Sequence, residues 1–491
     1  MEKISNSSLN RSTFIETTSR VSFIALCILL IDCAISGGGH WFWIGTLSFR
    51  MIFGLIAALC ALPSIFIRLR TWIKNPVIIS FVLFIFYLAI SAYIGISKGN
   101  RTDVIGSDLA GFAWLFIIPV AMAVITTRKR IDTVVKCVII GAVVQALMVI
   151  VINLFSLFNH DYAQPMFDKF MEMQMGFAEP ITQNLFRIFT KSSPFMIMGI
   201  IGLFYLQTRS ERFNWAYIIM SGLCLNALLI TFTRSIYGSA FIALILTIIL
   251  FLVFCKESRK KLVMHIIFVS IATVVFVLAQ QFASGENYIK FAVSRALSID
   301  VVSEEQIDAG EVTESELNRQ KYIMVTADSD DLRKDTRQEL VAMIKQSPVF
   351  GNGLGAAIDC RENGLVEYFY HDLINKMGIL GLVIYFFPIG YLLIFSFVKW
   401  RELEKDHKLQ SILFFCGLSA FLFASYYNPY MNAVLGISCY AICISGIVMN
   451  RTLNLGIISG LVKKGAGYKQ ANEFSGTGID RSGAEIPENI E

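Results

Sequence analysis

The run Leu262-Val-Met-His265-Ile-Ile-Phe-Val-Ser270-Ile-Ala-Thr-Val-Val-Phe-Val-Leu-Ala-Gln280 decides the fold. It carries no Asp, Glu, Lys or Arg. As a helix rising about 1.5 Å per residue it crosses a hydrocarbon core roughly 30 Å thick. A long polar stretch follows, from about Gln281 to Tyr370, and then the apolar pattern resumes. Working outward, comparable runs fall near 21–38, 44–67, 76–96, 109–127, 133–157, 193–208, 214–232, 236–255, 263–281, 371–398, 409–427 and 433–450. The 491-residue chain is 55% hydrophobic and 16% charged, against roughly 25% charged in soluble domains. The expected fold is an all-α polytopic membrane protein of about 12 transmembrane helices, with one large extracytoplasmic loop between spans 9 and 10.

The net charge of +5 does not mark a nucleic-acid partner, because the basic residues collect in short loops between spans. Seventeen lie in one alternating set of loops (around Arg68–Lys74, Arg128–Lys136, Arg209–Arg212, Lys256–Lys261 and Lys399–Lys408) against three in the other, Lys98, Arg101 and Arg234. The positive-inside bias puts the richer set and both termini in the cytoplasm. The expected organisation is a cytoplasmic N-terminus 1–20 with no cleavable signal, spans 1–9 over 21–281 with an outer loop 158–192, a periplasmic or extracellular loop 282–370, spans 10–12 over 371–450, and a cytoplasmic, disordered tail 451–491. Trp41, Phe42 and Trp43 fit an interfacial aromatic belt. Ten cysteines, nine in or beside apolar runs, make neither a disulfide framework nor a metal spacing.

Five groups of residues carry possible chemistry. His371 stands where the long loop enters a helix, and histidine exchanges a proton near neutrality. Gly378 and Gly381 after it allow close approach of a helix or a lipid phosphate. Arg234, in Thr231-Phe-Thr-Arg234-Ser235, joins two spans on the outer side, against the charge bias. Such an arginine is paired, snorkelling or functional, and its fork suits phosphate oxygens. Arg333 and Arg337 share a helix face, either to clamp a diphosphate or to pair in solvent with Asp335 and Glu339. Gly351, Gly353 and Gly355 alternate, and such a run can offer backbone N–H groups to phosphate, though no Walker sequence follows. Asp32 and Arg50 are charges within or near the first two spans and are functional candidates for that reason; Arg50 lies within reach of an outward pocket. Asp328-Ser-Asp330 reads as a helix cap, since nucleotide sugars are cytoplasmic and this loop is outside.

In this order and on this side, the residues resemble the O-antigen ligase and O-antigen polymerase (Wzy-type) superfamily of membrane glycosyltransferases. Thr231-Phe-Thr-Arg234-Ser resembles its Thr/Ser-Arg motif. Arg333 through Pro348-Val-Phe-Gly351-Asn-Gly353-Leu-Gly355 resembles its arginine–proline–glycine signature. His371 followed by Gly378-Ile-Leu-Gly381 is similar to its closing histidine–glycine motif, with Asp372 where the family usually has Asn, Ser or Gln. Asp108-Leu-Ala-Gly111 resembles an earlier motif. The resemblance implies a GT-C-like fold in the bacterial inner (plasma) membrane, acting on undecaprenyl-diphosphate-linked oligosaccharide in the assembly of surface polysaccharide, whether lipopolysaccharide O-antigen or exopolysaccharide. It implies no metal and no cofactor, inversion at the transferred sugar, and a flippase and a chain-length regulator as pathway partners. His371, Arg234 and Arg333 are then the catalytic candidates, with Arg337, Arg50, Gly351, Gly353, Gly355 and Glu367 binding diphosphate or glycan. The base position stays open between His371 and its neighbours Glu367 and Tyr370.

The His371-Asp372 pair and the enlarged loop favour a polymerase, with a ligase that transfers glycan to the lipid A core as the alternative. A polysaccharide flippase or other transporter should show related halves and a mid-membrane site. Neither is visible here. An assembly scaffold without chemistry would leave Arg234, Arg333 and His371 unexplained.

Overall fold

The computed structural model describes residues 2–37, 39, 43–44, 47–182, 184–256, 259–297, 332–358 and 366–455. Among them, nine helices are long and apolar enough to cross a membrane: Thr13–Ser36, Phe49–Trp72, Pro76–Ser97, Thr102–Val124, Arg128–Phe158, Arg234–Phe254, Arg259–Ser284, Phe369–Val398 and Lys405–Ala424. Trp215–Ile230 and Val434–Met449 are shorter apolar helices. Ser193–Arg209 is almost wholly buried at the centre. The expected cap at 328–331, the side chains of Trp41–Trp43, Cys360 and the tail after 455 lie outside the described residues.

Local chemistry sets several of these boundaries. Asn75, Thr127 and Asn214 accept hydrogen bonds from Val77, Arg130 and Ala216 N–H, and so satisfy donors that a helix start leaves open. Pro76 follows Asn75 at the first helical position, where its missing N–H costs nothing. Small residues then bring the helices together. A Cβ on Gly141 would overlap Ala34, and one on Gly199 would overlap Ala142, so the Arg128–Phe158 helix touches the first helix and the central helix at close range.

The helical class is observed, but two antiparallel pairings depart from an all-helical reading. Trp43–Ile44 pairs with Leu47–Ser48. In the 158–192 segment a helix, His160–Glu172, is followed by a hairpin in which Gly176–Thr182 pairs with Leu185–Thr190. The hairpin gives backbone donors that lie off the helices partners of their own.

The two ends of the bundle differ. At one end, Arg209 bonds Asp132 at 2.7 Å, Arg128 meets Asp406 at 3.1 Å, and Lys261 Nζ donates to Ser210 O at 2.7 Å. At the other end, residues 348–353 bond the interior of Phe369–Val398, and Arg187 of the hairpin bonds Thr231 O.

Candidate functional site

The last helix of that group is broken. Gly378 has φ 66° and ψ −178° inside Phe369–Val398, a conformation open essentially to glycine alone. The break frees carbonyls before it and N–H groups after it, and the glycine-rich segment fills both. Asn352 N–H donates to Asn375 O at 2.6 Å and Gly353 N–H to Lys376 O at 3.0 Å. Ile379 and Leu380 N–H donate to Pro348 and Val349 O at 2.9 and 3.2 Å. Residues 348–353 are thus inserted like a strand into the gap of a membrane helix.

This corrects the phosphate-cradle reading of Gly351, Gly353 and Gly355. All three have positive φ, are buried, and donate within the protein: Gly351 N–H to Ser347 O, Gly353 N–H to Lys376 O, and Gly355 N–H to Asp108 Oδ2 at 2.9 Å. Their missing side chains let the loop press onto three neighbours: a Cβ on Gly351 would strike Lys376, one on Gly353 would strike Gly95, and one on Gly355 would strike Ile105. Gly378 likewise faces the loop, through Val349 O, rather than a lipid phosphate.

His371 lies in the first turn of the half-helix before the break. It is half-buried, its Nδ1 is enclosed with no hydrogen-bond partner among the described residues, and its ring meets Tyr368 edge-on at 5.6 Å and Tyr426 at 6.2 Å. Tyr426 packs on Tyr427 at 4.7 Å. Arg333, in the helix over 332–346, bonds Glu367 at 2.6 Å, each about a third exposed (34% and 32%). Burial pushes the Tyr368 hydroxyl above its usual range, while the charges of Arg333 and Arg337 pull it down and that of Glu367 pushes it up. Tyr368 therefore stays a neutral donor amid three charged side chains. Arg337 also acts electrostatically on His371.

Arg234 begins the Arg234–Phe254 helix. Asn428 Nδ2 donates to the neighbouring Ser235 Oγ at 3.0 Å, so the Tyr426–Asn428 turn links the Arg234 turn to the His371 group. The residue two before Arg234, Phe232, has φ 43° and is fully buried. Such a conformation costs a bulky side chain of order 1–3 kcal/mol. It is held by rings of Phe291 and Tyr288 at 4.8 and 5.9 Å, by Tyr237 Oη donating to Leu229 O at 2.5 Å, and by Arg187 of the hairpin, which donates to Thr231 O at 3.3 Å.

Arg50 is not part of this group. It is buried at 5% exposure and bonds Asp32 at 2.6 Å, Gly39 O at 2.9 Å and Ser36 Oγ. A guanidinium so engaged ties the first two helices together. Lys191 lies beside Arg50; burial and that charge hold its ammonium below the usual lysine range.

Reading by motif passed over Lys376. It is 4% exposed and sits between two carboxylates, with Nζ donating to Asp108 Oδ1 at 2.8 Å and to Asp372 Oδ2 at 2.9 Å. A lysine inside an apolar run, four residues after an aspartate, is a visible signal of such a pair.

Arg234, Arg333 and His371 all fall within residues 219–386, about a third of the chain, which match the family model described as O-antigen ligase. Over that stretch the chain is similar to the O-antigen ligase family. The family match takes in the broken helix as far as Phe386 and leaves out Asp108. No curated protein matches the chain.

Proposed function

We propose that this chain is an integral membrane glycosyltransferase of surface-polysaccharide assembly that transfers glycan from a polyprenyl diphosphate, in the manner of an O-antigen polymerase. The observation that carries this reading is the convergence of Arg333, Arg337, Glu367, Tyr368 and His371 at one end of the bundle, linked through Tyr426–Asn428 to the Arg234 turn.

The chemistry follows from the donor. An acceptor sugar hydroxyl attacks the anomeric carbon, the bond from that carbon to the diphosphate oxygen breaks, and the diphosphate leaves with the electron pair. Charge grows on the leaving oxygens, so fixed cations help most there. Arg234 and Arg333 take that role, with Arg337 beside them. His371 accepts the hydroxyl proton, a task for which an imidazole is suited near neutrality. Attack from the face opposite the diphosphate inverts the sugar centre. The lipid tail remains among the apolar helix faces, and only the head group enters the charged cluster.

The ligase reading is second, favoured by the description of the matching family. Deleting the gene and running surface polysaccharide on a gel separates the two. A polymerase loss leaves single repeat units attached to the core and no length ladder. A ligase loss removes core-attached glycan while lipid-linked polymer accumulates. Unchanged polysaccharide would contradict both.

A further inference from the structure

We infer that Lys376 is a positioning residue, which fixes the half-helix that presents His371 by its bond to Asp108. This rests on the catalytic reading of His371 proposed above. Lys376 joins four segments. Its Nζ holds Asp108, on the Thr102–Ala113 helix, and Asp372 on its own helix, at 2.8 and 2.9 Å. Its carbonyl accepts Gly353 N–H from the glycine-rich loop and Ser91 Oγ–H from the Pro76–Ser97 helix, each at 3.0 Å. Asp108 returns to the loop by accepting Gly355 N–H at 2.9 Å.

Three observations make this more than packing. First, an ammonium and two carboxylates, at 4%, 11% and 6% side-chain exposure, are an expensive way to join apolar helices. Apolar side chains of similar size hold helices together as well, but without direction. Second, the break at Gly378 cuts residues 369–377 off from the helical hydrogen bonding that follows. Their orientation must come from sideways ties, and Lys376 lies about 7.5 Å along the axis from His371. Third, His371 Nδ1 has no hydrogen-bond partner among the described residues. The imidazole is therefore aimed by its backbone and by the rings of Tyr368 and Tyr426. A small rotation of the half-helix moves it directly, and small displacements of a reacting group cost about 100-fold in rate.

The test uses full-length protein in detergent or proteoliposomes and, as donor, the lipid-linked glycan extracted from cells lacking this gene. Asp108→Asn keeps the Lys376–Asp372 pair and an oxygen for Gly355 N–H. Turnover per folded molecule is expected to fall 10- to 100-fold, with KM for the glycan lipid within twofold of the parent. Asp108→Glu, which keeps the carboxylate, is expected to recover most of that turnover. A merely structural tie would lower the amount of folded protein and leave its turnover unchanged. If Asp108→Asn fails to accumulate, the triple variant Asp108→Asn, Asp372→Asn, Lys376→Met buries no charge and is read in the same way. Turnover within twofold of the parent in either variant overturns the proposal. His371→Ala is run in parallel. A dead His371→Ala beside an active Asp108→Asn removes this proposal alone, whereas an active His371→Ala removes the catalytic reading and this proposal with it.

Discussion

At the scale of single residues, the chain uses its arginines in two distinct ways. Arg50 is enclosed with Asp32 (5% and 10% side-chain exposure), and removing one partner of such a pair costs about 3–5 kcal/mol because a charge is left buried alone. Arg50→Ala is therefore expected to lower the unfolding temperature in detergent while leaving turnover per folded molecule near the parent value. Arg333 and Glu367 are each a third exposed, so their bond contributes at most about 1 kcal/mol to stability. Its value lies in aiming the guanidinium. Glu367→Gln is expected to reduce turnover roughly 3- to 10-fold, and His371→Ala by at least about 100-fold, the range of a lost general base. Kinetics on the two purified variants measure the order, and the reverse order would assign the base to Glu367. Motif order singled out Arg234, Arg333 and His371 in the sequence. The sequence shows that an intramembrane arginine such as Arg50 needs a partner, but not that the partner is Asp32. Lys376 was legible from its spacing to Asp372, but Asp108 is 268 residues away and no local pattern connects them.

At the scale of elements, the site depends on the broken helix and the segment inserted in it. Gly378→Ala forces a side chain into a glycine-only conformation and into Val349 O. The expected result is loss of folded protein, measured as membrane level and unfolding temperature, with Gly390→Ala as a benign control because nothing stands near its Cβ position. The helices themselves were readable, since hydropathy and length encode a membrane span directly. The insertion was not. Alternating glycines predict positive φ and close approach, but the partners of Gly353 and Gly355 N–H are a carbonyl freed by a break more than twenty residues later and a carboxylate on a distant helix. The hairpin at 176–190 escaped for a related reason. Its strands mix buried Ala178, Ile181, Phe186 and Ile188 with half-exposed Phe177, because they pack under helices and beside the Arg234 turn rather than on a sheet with one wet face.

At the scale of the whole molecule, we propose from the charge bias of the short loops that the end with Arg128, Arg209 and Lys261 faces the cytoplasm and the end with His371 faces outward. Cysteines introduced at the exposed positions Gln346 and Arg212, each in a Cys360→Ser background, test it, since the native cysteines among the described residues are buried or half-buried. A membrane-impermeant maleimide applied to intact spheroplasts is expected to label Gln346→Cys and to spare Arg212→Cys, and the opposite labelling would invert the protein. An outward cluster reaches glycans already carried across the membrane on a lipid.

The central claim is that this cluster moves glycan from a lipid diphosphate, and purified protein tests it most directly. Full-length protein in liposomes receives only the lipid-linked glycan from cells lacking the gene, with no nucleotide sugar. The expected result is longer lipid-linked glycan, with one polyprenyl diphosphate released per transfer, and loss of at least about 100-fold in rate for Arg234→Ala, Arg333→Ala and His371→Ala, as for removal of a transition-state contact or base. Full rates in all three variants, or transfer that occurs only when a nucleotide sugar is added, would contradict the account.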